Sequence, residues 1–351
     1  MVLPAVIVLL CFAIFPLIIS AYLALSRFAL APGGFTLKFV GLANFRKLFT
    51  GSQQYHLVGT VAEPGLIQYL LVVAIAVALL ALTVRYMRGG RWTVVGILGR
   101  LIAAMMAWVL ASIVVMTLGS GGVPGTIVNT LIYVVVGVAV QFALGLGLAI
   151  LCAQPIRARN FFRVLFFVPL MVTPVGIAYT FRMLADMQKG PFAPLLRAFG
   201  VSEWSWATEA WSARLMVLAG DTWQWTPFMF IVLLAAIENQ PRDQVEAARL
   251  DGAGGLQIFR DITWPAIAPV AATIVLIRLI EAFKIIDLPN VLTGGGPGLA
   301  TESLTLHSFI AWRTQDLGAS AAVGYTLLFI STVVCVSFFN FVVRPARRFQ
   351  A

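Results

Sequence analysis

Charge is scarce in this chain. Asp, Glu, Lys and Arg make up 11% of 351 residues, against about 25% in an ordinary soluble domain. With 60% hydrophobic residues, a soluble fold of this size could not hide its apolar surface. Cysteine is scarce too. Cys11, Cys152 and Cys335 are far apart, show no CxxC spacing and fall within or at the ends of apolar runs. They read as small buried residues, neither disulfide-bonded nor metal-ligating. Catalytic patterns are missing. No Gly-Lys pair occurs, so there is no GxxxxGK(S/T) phosphate loop, and there is no HExxH or GxSxG. His56 and His307 each stand alone in their segments and read as surface or packing residues. No metal site and no enzymatic activity are expected of this chain.

Long apolar runs take the place of those features. A spanning helix needs about 20 mainly apolar residues. Eight runs qualify, at 2–25, 66–84, 94–118, 126–151, 162–184, 213–237, 266–287 and 320–343. They are continuous rather than alternating, so they predict helices, and the fold class is an all-α polytopic membrane protein. Met1–Leu25 has no basic leader and no small-residue cleavage site, and it predicts a first span rather than a signal peptide. Pro169 and Pro174 predict a bent helix within the fifth run.

The net charge of +10 would suggest nucleic acid in a soluble chain. Here it reads as the positive-inside bias, and no nucleic-acid partner is expected. Arg85, Arg88 and Arg91, then Arg157, Arg159 and Arg163, then Arg344, Arg347 and Arg348, all fall on one side when eight spans are threaded. That side is assigned as cytoplasmic, with both termini there. The segment around Arg242, Arg249 and Arg260 joins it, and the gaps 26–65, 119–125, 185–212 and 288–319 face outward. Trp204, Trp206 and Trp211 read as interface anchors.

The cytoplasmic segment EAARLDGAGGLQIFRDITWPAIAP (246–269) predicts helix, turn, helix. Pro241 favours a helix start. DGAGG breaks the helix, and LQIFRDI resumes it until Trp264–Pro265. Ala247, Ala248, Gly252 and Ala253 leave little bulk, so another backbone could approach closely. Leu256, Phe259 and Ile262 form an apolar stripe, and Glu246 and Asp251 supply charge.

This pattern resembles the EAA loop of ABC importer permeases, and more narrowly of the maltose-type carbohydrate importers. Three further stretches are similar to that family in the same order: FVGLANFRKLF (39–49), GTIVNTLIYV (125–134) and FKIIDLPNVLTGGGPGLATESL (283–304). The resemblance implies a type I ABC importer permease fold. It divides the chain into a first helix and outer segment (1–60), an additional helix pair (61–124), and a permease core (125–351) whose coupling loop is 240–269. Glu246, Ala247, Ala248, Asp251, Gly252, Ala253, Phe259 and Ile262 would dock on a separate ATPase. The implied partners are a second permease subunit, two cytoplasmic ATPase subunits that bind ATP and Mg, an extracytoplasmic solute-binding protein and the lipid membrane. The implied location is the bacterial cytoplasmic (inner) membrane. The other class left open is a secondary transporter, although the two halves show no internal repeat.

Polar residues within spans are candidates for a substrate path. DTWQWTP (221–227) offers Trp223, Gln224 and Trp225, aromatic and amide groups suited to a sugar. Asn129 is a further candidate, with Tyr133 and Gln141 weaker ones. Arg278, Glu281, Lys284 and Asp287 recur every third residue with alternating sign. They read either as a self-paired stripe or as groups facing the path. LTGGGPG is expected to be a flexible outer loop. In the added pair, Gly96, Gly99, Ala103 and Ala107 have close-packing spacing.

Overall fold

The computed structural model describes residues 3–61, 63–89, 93–119, 121–155, 157, 159–187, 189–198, 205–344 and 346. Arg91, Trp204, Arg347 and Arg348, used above for topology and anchoring, lie outside them. In chain order the elements are α1 (Leu3–Ala24), a hairpin of β1 (Ser26–Ala31) and β2 (Gly34–Phe39), and short helices α2 (Ala43–Phe49) and α3 (Gln54–Leu57). Next come β3 (Gly59–Thr60), α4 (Leu66–Arg88), α5 (Val94–Leu118), β4 (Val123–Pro124) and α6 (Thr126–Ala153). Then follow α7 (Arg159–Met171), α8 (Pro174–Leu184), α9 (Ala193–Ala198), α10 (Ala210–Glu238) and α11 (Arg242–Leu250). The last are α12 (Gly255–Ala282), α13 (Leu304–Arg313) and α14 (Leu317–Val343).

Among the described residues, six helices are long and apolar enough to cross a membrane: α1, α4, α5, α6, α12 and α14. The α7–α8 pair makes a seventh stretch, bent by 100° at its break. The bend expected from the prolines is therefore present. Pro169 lies inside α7, and Pro174 opens α8, where Thr173 Oγ1 accepts the Gly176 amide as an N-cap. The eighth run is α10. Its 29 residues span about 43 Å at 1.5 Å each, but Arg214, Asp221, Gln224 and three tryptophans make it less apolar.

Two boundaries differ from the sequence reading. α12 starts at Gly255 and runs through Trp264–Pro265 without stopping. A wide π-turn at Phe259–Thr263 precedes Pro265, so the proline, which has no N–H to donate, follows a break in the α-helical hydrogen-bond pattern. At its other end α12 stops at Ala282, so Lys284 and Asp287 lie beyond it. The β1–β2 hairpin is also absent from the all-helical expectation. Its register pairs Ser26 with Phe39 and Ala31 with Gly34, and Gly33 turns with φ +87°.

The chain forms two compact units that interleave in sequence: Met1–Thr130 with Gly294–Val333, and Leu131–Thr293 with Val334–Ala351. In the first, Asn44 Nδ2 donates to the carbonyls of Ala24 (2.8 Å) and Ser26 (2.9 Å), fixing the end of α1. The Tyr325 hydroxyl of α14 donates to the Leu17 carbonyl. Between α4 and α5, Trp108 Nε1 donates to Val72 O at 3.3 Å, and the Arg100 guanidinium lies 3.7 Å from the centre of the Tyr86 ring. Gly96 abuts Tyr86, but a Cβ on Gly99 would meet nothing within 4 Å. The close-packing reading therefore holds for Gly96 and not for Gly99, which the helix twist turns away.

In the second unit α6 and α10 approach closely at Gly145. A Cβ there would lie 2.5 Å from Met229 Cβ and 2.9 Å from the Phe230 nitrogen, so glycine sets the helix separation. Tyr133, Ile177, Val217, Leu288 and Leu292 form a buried apolar core. Arg163 pairs with Glu238.

Candidate functional site

The 240–269 segment folds as helix, turn, helix. Pro241 precedes the first turn of α11. At its end the Gly252 amide donates to Arg249 O (3.1 Å) and the Ala253 amide to Ala248 O (2.9 Å). Gly252 sits at φ +82°, so this is a glycine-closed helix C-terminus that an L side chain would strain. Gln257 Oε1 accepts the Gly254 amide at 2.9 Å and starts α12. The chain thus makes its elbow in the four residues 251–254.

Glu246, Ala247, Asp251 and Gly252 are exposed on this elbow, while Ala248, Ala253, Phe259 and Ile262 are half-buried. The structure brings them onto one segment, as the spacing suggested. Ala247, Ala248, Asp251 and Ile262, with Gln244 and Pro265, line a depression of about 530 Å³. Leu250 and Leu256 are 89% and 82% exposed. Two leucines this bare are an apolar feature of the elbow's surface. Arg260 and Asp261 form a bidentate pair at 2.7 and 3.1 Å; being mostly exposed, it contributes little.

Three helices, α6, α10 and α12, share a buried polar network. Arg278 of α12 donates to Gln141 Oε1 of α6 (2.8 Å) and to Asp221 Oδ2 of α10 (2.5 Å). Gln141 Nε2 donates to the same Asp221 oxygen at 2.7 Å. The Arg278 guanidinium also lies 4.6 Å from the centre of the Trp225 ring. Arg278 and Asp221 side chains are 1% and 5% exposed. Burying these charges is costly, and each is compensated by a partner and further hydrogen bonds.

This corrects the self-paired stripe for Arg278, which points inward to Asp221 and not along its own helix. Lys284 does pair with Glu281, at 2.7 Å. The substrate-path candidates separate in space. Trp223 meets Phe181 edge-on at 6.0 Å and lines a groove of about 850 Å³ that is apolar apart from the threonines Thr222 and Thr226. Gln224 is buried, and Trp225 faces the network. Asp287 is half-buried.

Asn129 lies elsewhere. Its Nδ2 donates to the carbonyls of Leu299 (2.8 Å) and Glu302 (3.2 Å). The LTGGGPG loop is therefore tied down rather than free-standing. The Thr301 amide donates to Gly295 O and its hydroxyl to Gly296 O, both at 3.1 Å. Next to it the two histidines meet. His56 Nε2 lies 2.9 Å from Glu302 Oε2, and His307 Nδ1 lies 2.8 Å from Glu302 Oε1. Burial pushes the Glu302 carboxyl up, but the hydrogen bonds and charge of His307 and His56 outweigh it and hold the group below the usual carboxylate range. The reading of His56 and His307 as isolated residues is overturned. They are 251 residues apart (307 − 56), and no local spacing could join them.

Residues 144–349 match the family model described as "Binding-protein-dependent transport system inner membrane component". The trehalose/maltose transport system permease protein MalF of Thermococcus litoralis is 34% identical over 215 residues, 61% of this chain and 71% of that protein. The sn-glycerol-3-phosphate transport system permease protein UgpA of Escherichia coli O157:H7 is 30% identical, covering 55% of this chain and 65% of the relative. The fold resembles a crystal structure of a bacterial ABC transporter involved in the import of the acidic polysaccharide alginate. The TM-score is 0.61 at 16% identity, over 100% of this chain and 95% of that one.

Proposed function

The chain belongs to the family of binding-protein-dependent transport system inner membrane components, and from that premise we propose how it works. It is a multi-pass permease subunit of an ABC importer, carrying a carbohydrate or polyol inward by alternating access. Its relatives are named for trehalose/maltose, sn-glycerol-3-phosphate and starch degradation products, and that breadth supports the carbohydrate class without choosing a sugar. A second permease completes the pore. Two ATPase subunits bind ATP and Mg below it, and a solute-binding protein delivers substrate from outside. Both termini lie in the cytoplasm.

The observation that carries the coupling is the elbow of α11 and α12. Its exposed Leu250 and Leu256, the hollow beside Ala247 and Ala248, and the glycine-fixed turn suit a rigid knob seated in a groove of the ATPase. A rigid knob transmits movement, whereas a flexible connector would absorb it. ATP-driven closure of the ATPase pair moves this elbow and, through α12, the outer end carrying Glu281. The substrate path is then assigned to Glu281, Lys284 and Asp287 with Gln224, Trp223 and Trp225. Asn129 acts as a brace for the loop, since its amide is committed to two carbonyls.

Affinity purification of the tagged chain from its own host, in mild detergent, tests this. An ATPase subunit should co-purify in amounts comparable to the permease. Purification of the chain with no ATPase, together with uptake that persists in ATP-depleted cells, would return the reading to a secondary transporter.

A further inference from the structure

His56, Glu302 and His307 converge outside the elbow and outside the polar network. One donor atom from each lies within 4.8 Å of the other two. The imidazole rings meet edge to face with centroids 4.2 Å apart. The side chains of Glu302 and His307 are 4% and 6% exposed, and that of His56 is 21% exposed, so the group is closed on one side and open on the other.

We propose that His56, Glu302 and His307 form a three-ligand site for a divalent transition-metal cation, with Zn²⁺ the best match and water in a fourth position on the His56 side. The donor set points to this class. Two imidazoles and one carboxylate suit Zn²⁺ and its neighbours, whereas Ca²⁺ and Mg²⁺ take oxygen ligands. The geometry is near the requirement. Tetrahedral ligands at about 2.0–2.1 Å from zinc sit roughly 3.3–3.4 Å apart. The His56 and His307 nitrogens lie 2.9 and 2.8 Å from different oxygens of Glu302, and with one donor atom taken from each residue all three lie within 4.8 Å of one another. Turning the carboxylate to offer one oxygen and spacing the donors by about half an ångström are rotamer-scale adjustments.

The frame around the ligands is set independently of any ion. Asn129 holds the Glu302 carbonyl. Ser303 Oγ accepts the Leu306 amide and caps α13, and the His307 amide donates to Ser303 O at 2.8 Å. Glu302 and His307 thus sit on a fixed helix start, as outer-sphere support of a metal site requires. A bound ion would fasten α3, which carries His56, to the start of α13.

The test uses the whole transporter complex with a tag free of histidine, stripped with chelator and titrated with Co²⁺ and then Zn²⁺. The wild-type complex should gain the visible bands of four-coordinate Co²⁺ at one equivalent per chain over the variants, and Zn²⁺ should abolish them. His56→Asn, Glu302→Gln and His307→Asn should each weaken Co²⁺ binding at least about tenfold. His56→Asn, at the open edge, should leave the metal-free thermal midpoint close to wild type, and Zn²⁺ should raise the midpoint of the wild type only. Absence of the Co²⁺ bands at saturating metal, or identical titrations in wild type and all three variants, would overturn the site and leave a hydrogen-bonded His–Glu–His cluster. Neither result bears on the co-purification test of the transport reading.

Discussion

Arg278→Met removes the cation of the buried network and leaves Asp221 facing Gln141 alone. Two magnitudes compete. An ordinary interhelical hydrogen bond in a membrane protein is worth about 0.6 kcal/mol on average. Breaking a buried ion pair by deleting one partner costs about 3–5 kcal/mol, because a charge is left uncompensated. The geometry selects the second. Asp221 Oδ2 accepts from both Arg278 and Gln141, and the paired side chains are 1% and 5% exposed, so water cannot take the place of the lost partner. At about 2–4 °C per kcal/mol for a unit of this size, the thermal midpoint in detergent should fall by roughly 6 °C or more. The triple change Gln141→Leu, Asp221→Leu, Arg278→Met removes every polar group of the network and should be less harmful than Arg278→Met alone. A fall of only about 1–2 °C for Arg278→Met, matching a single ordinary hydrogen bond, would refute the buried-pair reasoning and mean that water reaches Asp221.

Gly145→Ala places a Cβ 2.5 Å from Met229 Cβ. It should cost about 1–3 kcal/mol by forcing α6 and α10 apart, read as a lower midpoint with unchanged expression. Asn129→Ala frees the carbonyls of Leu299 and Glu302. Hydrogen exchange should speed up across 295–303 while α10 stays protected, at a cost of about 1–3 kcal/mol. Lys47→Ala breaks the pair with Asp316, whose side chains are 43% and 44% exposed; its midpoint should move by less than about 1 kcal/mol equivalent.

Six spanning helices and the bent α7–α8 pair were legible because apolar length is a property of each segment alone, whereas α10, with Arg214 and Asp221 buried in it, is a long helix that falls short of that apolar measure. The elbow was legible because DGAGG fixes its turn through Gly252, whose positive φ few other residues accept. The end of α12 was not: EAFKIID carries no glycine or proline, and the helix stops at Ala282 where Phe283 and Ile285 turn inward to be buried. The Gln141–Asp221–Arg278 network joins three helices, and the His56–Glu302–His307 group joins two distant outer segments. Periodicity within a helix holds no information about either. Gln141, His56 and His307 stood out singly and Arg278 as one of a stripe, while Asp221 and Glu302 were only letters of longer stretches, and only the packing joined them.

Substrate-stimulated ATPase activity of the reconstituted complex tests the central claim most directly, comparing the intact chain with Glu246→Ala plus Gly252→Pro. Proline cannot adopt φ +82° and removes the amide that donates to Arg249, so the elbow loses its shape while the spans stay folded. Loss of stimulation with the permease still in the membrane is the expected result. Unchanged stimulation and uptake would contradict it, and the elbow would then be a connector with no part in coupling.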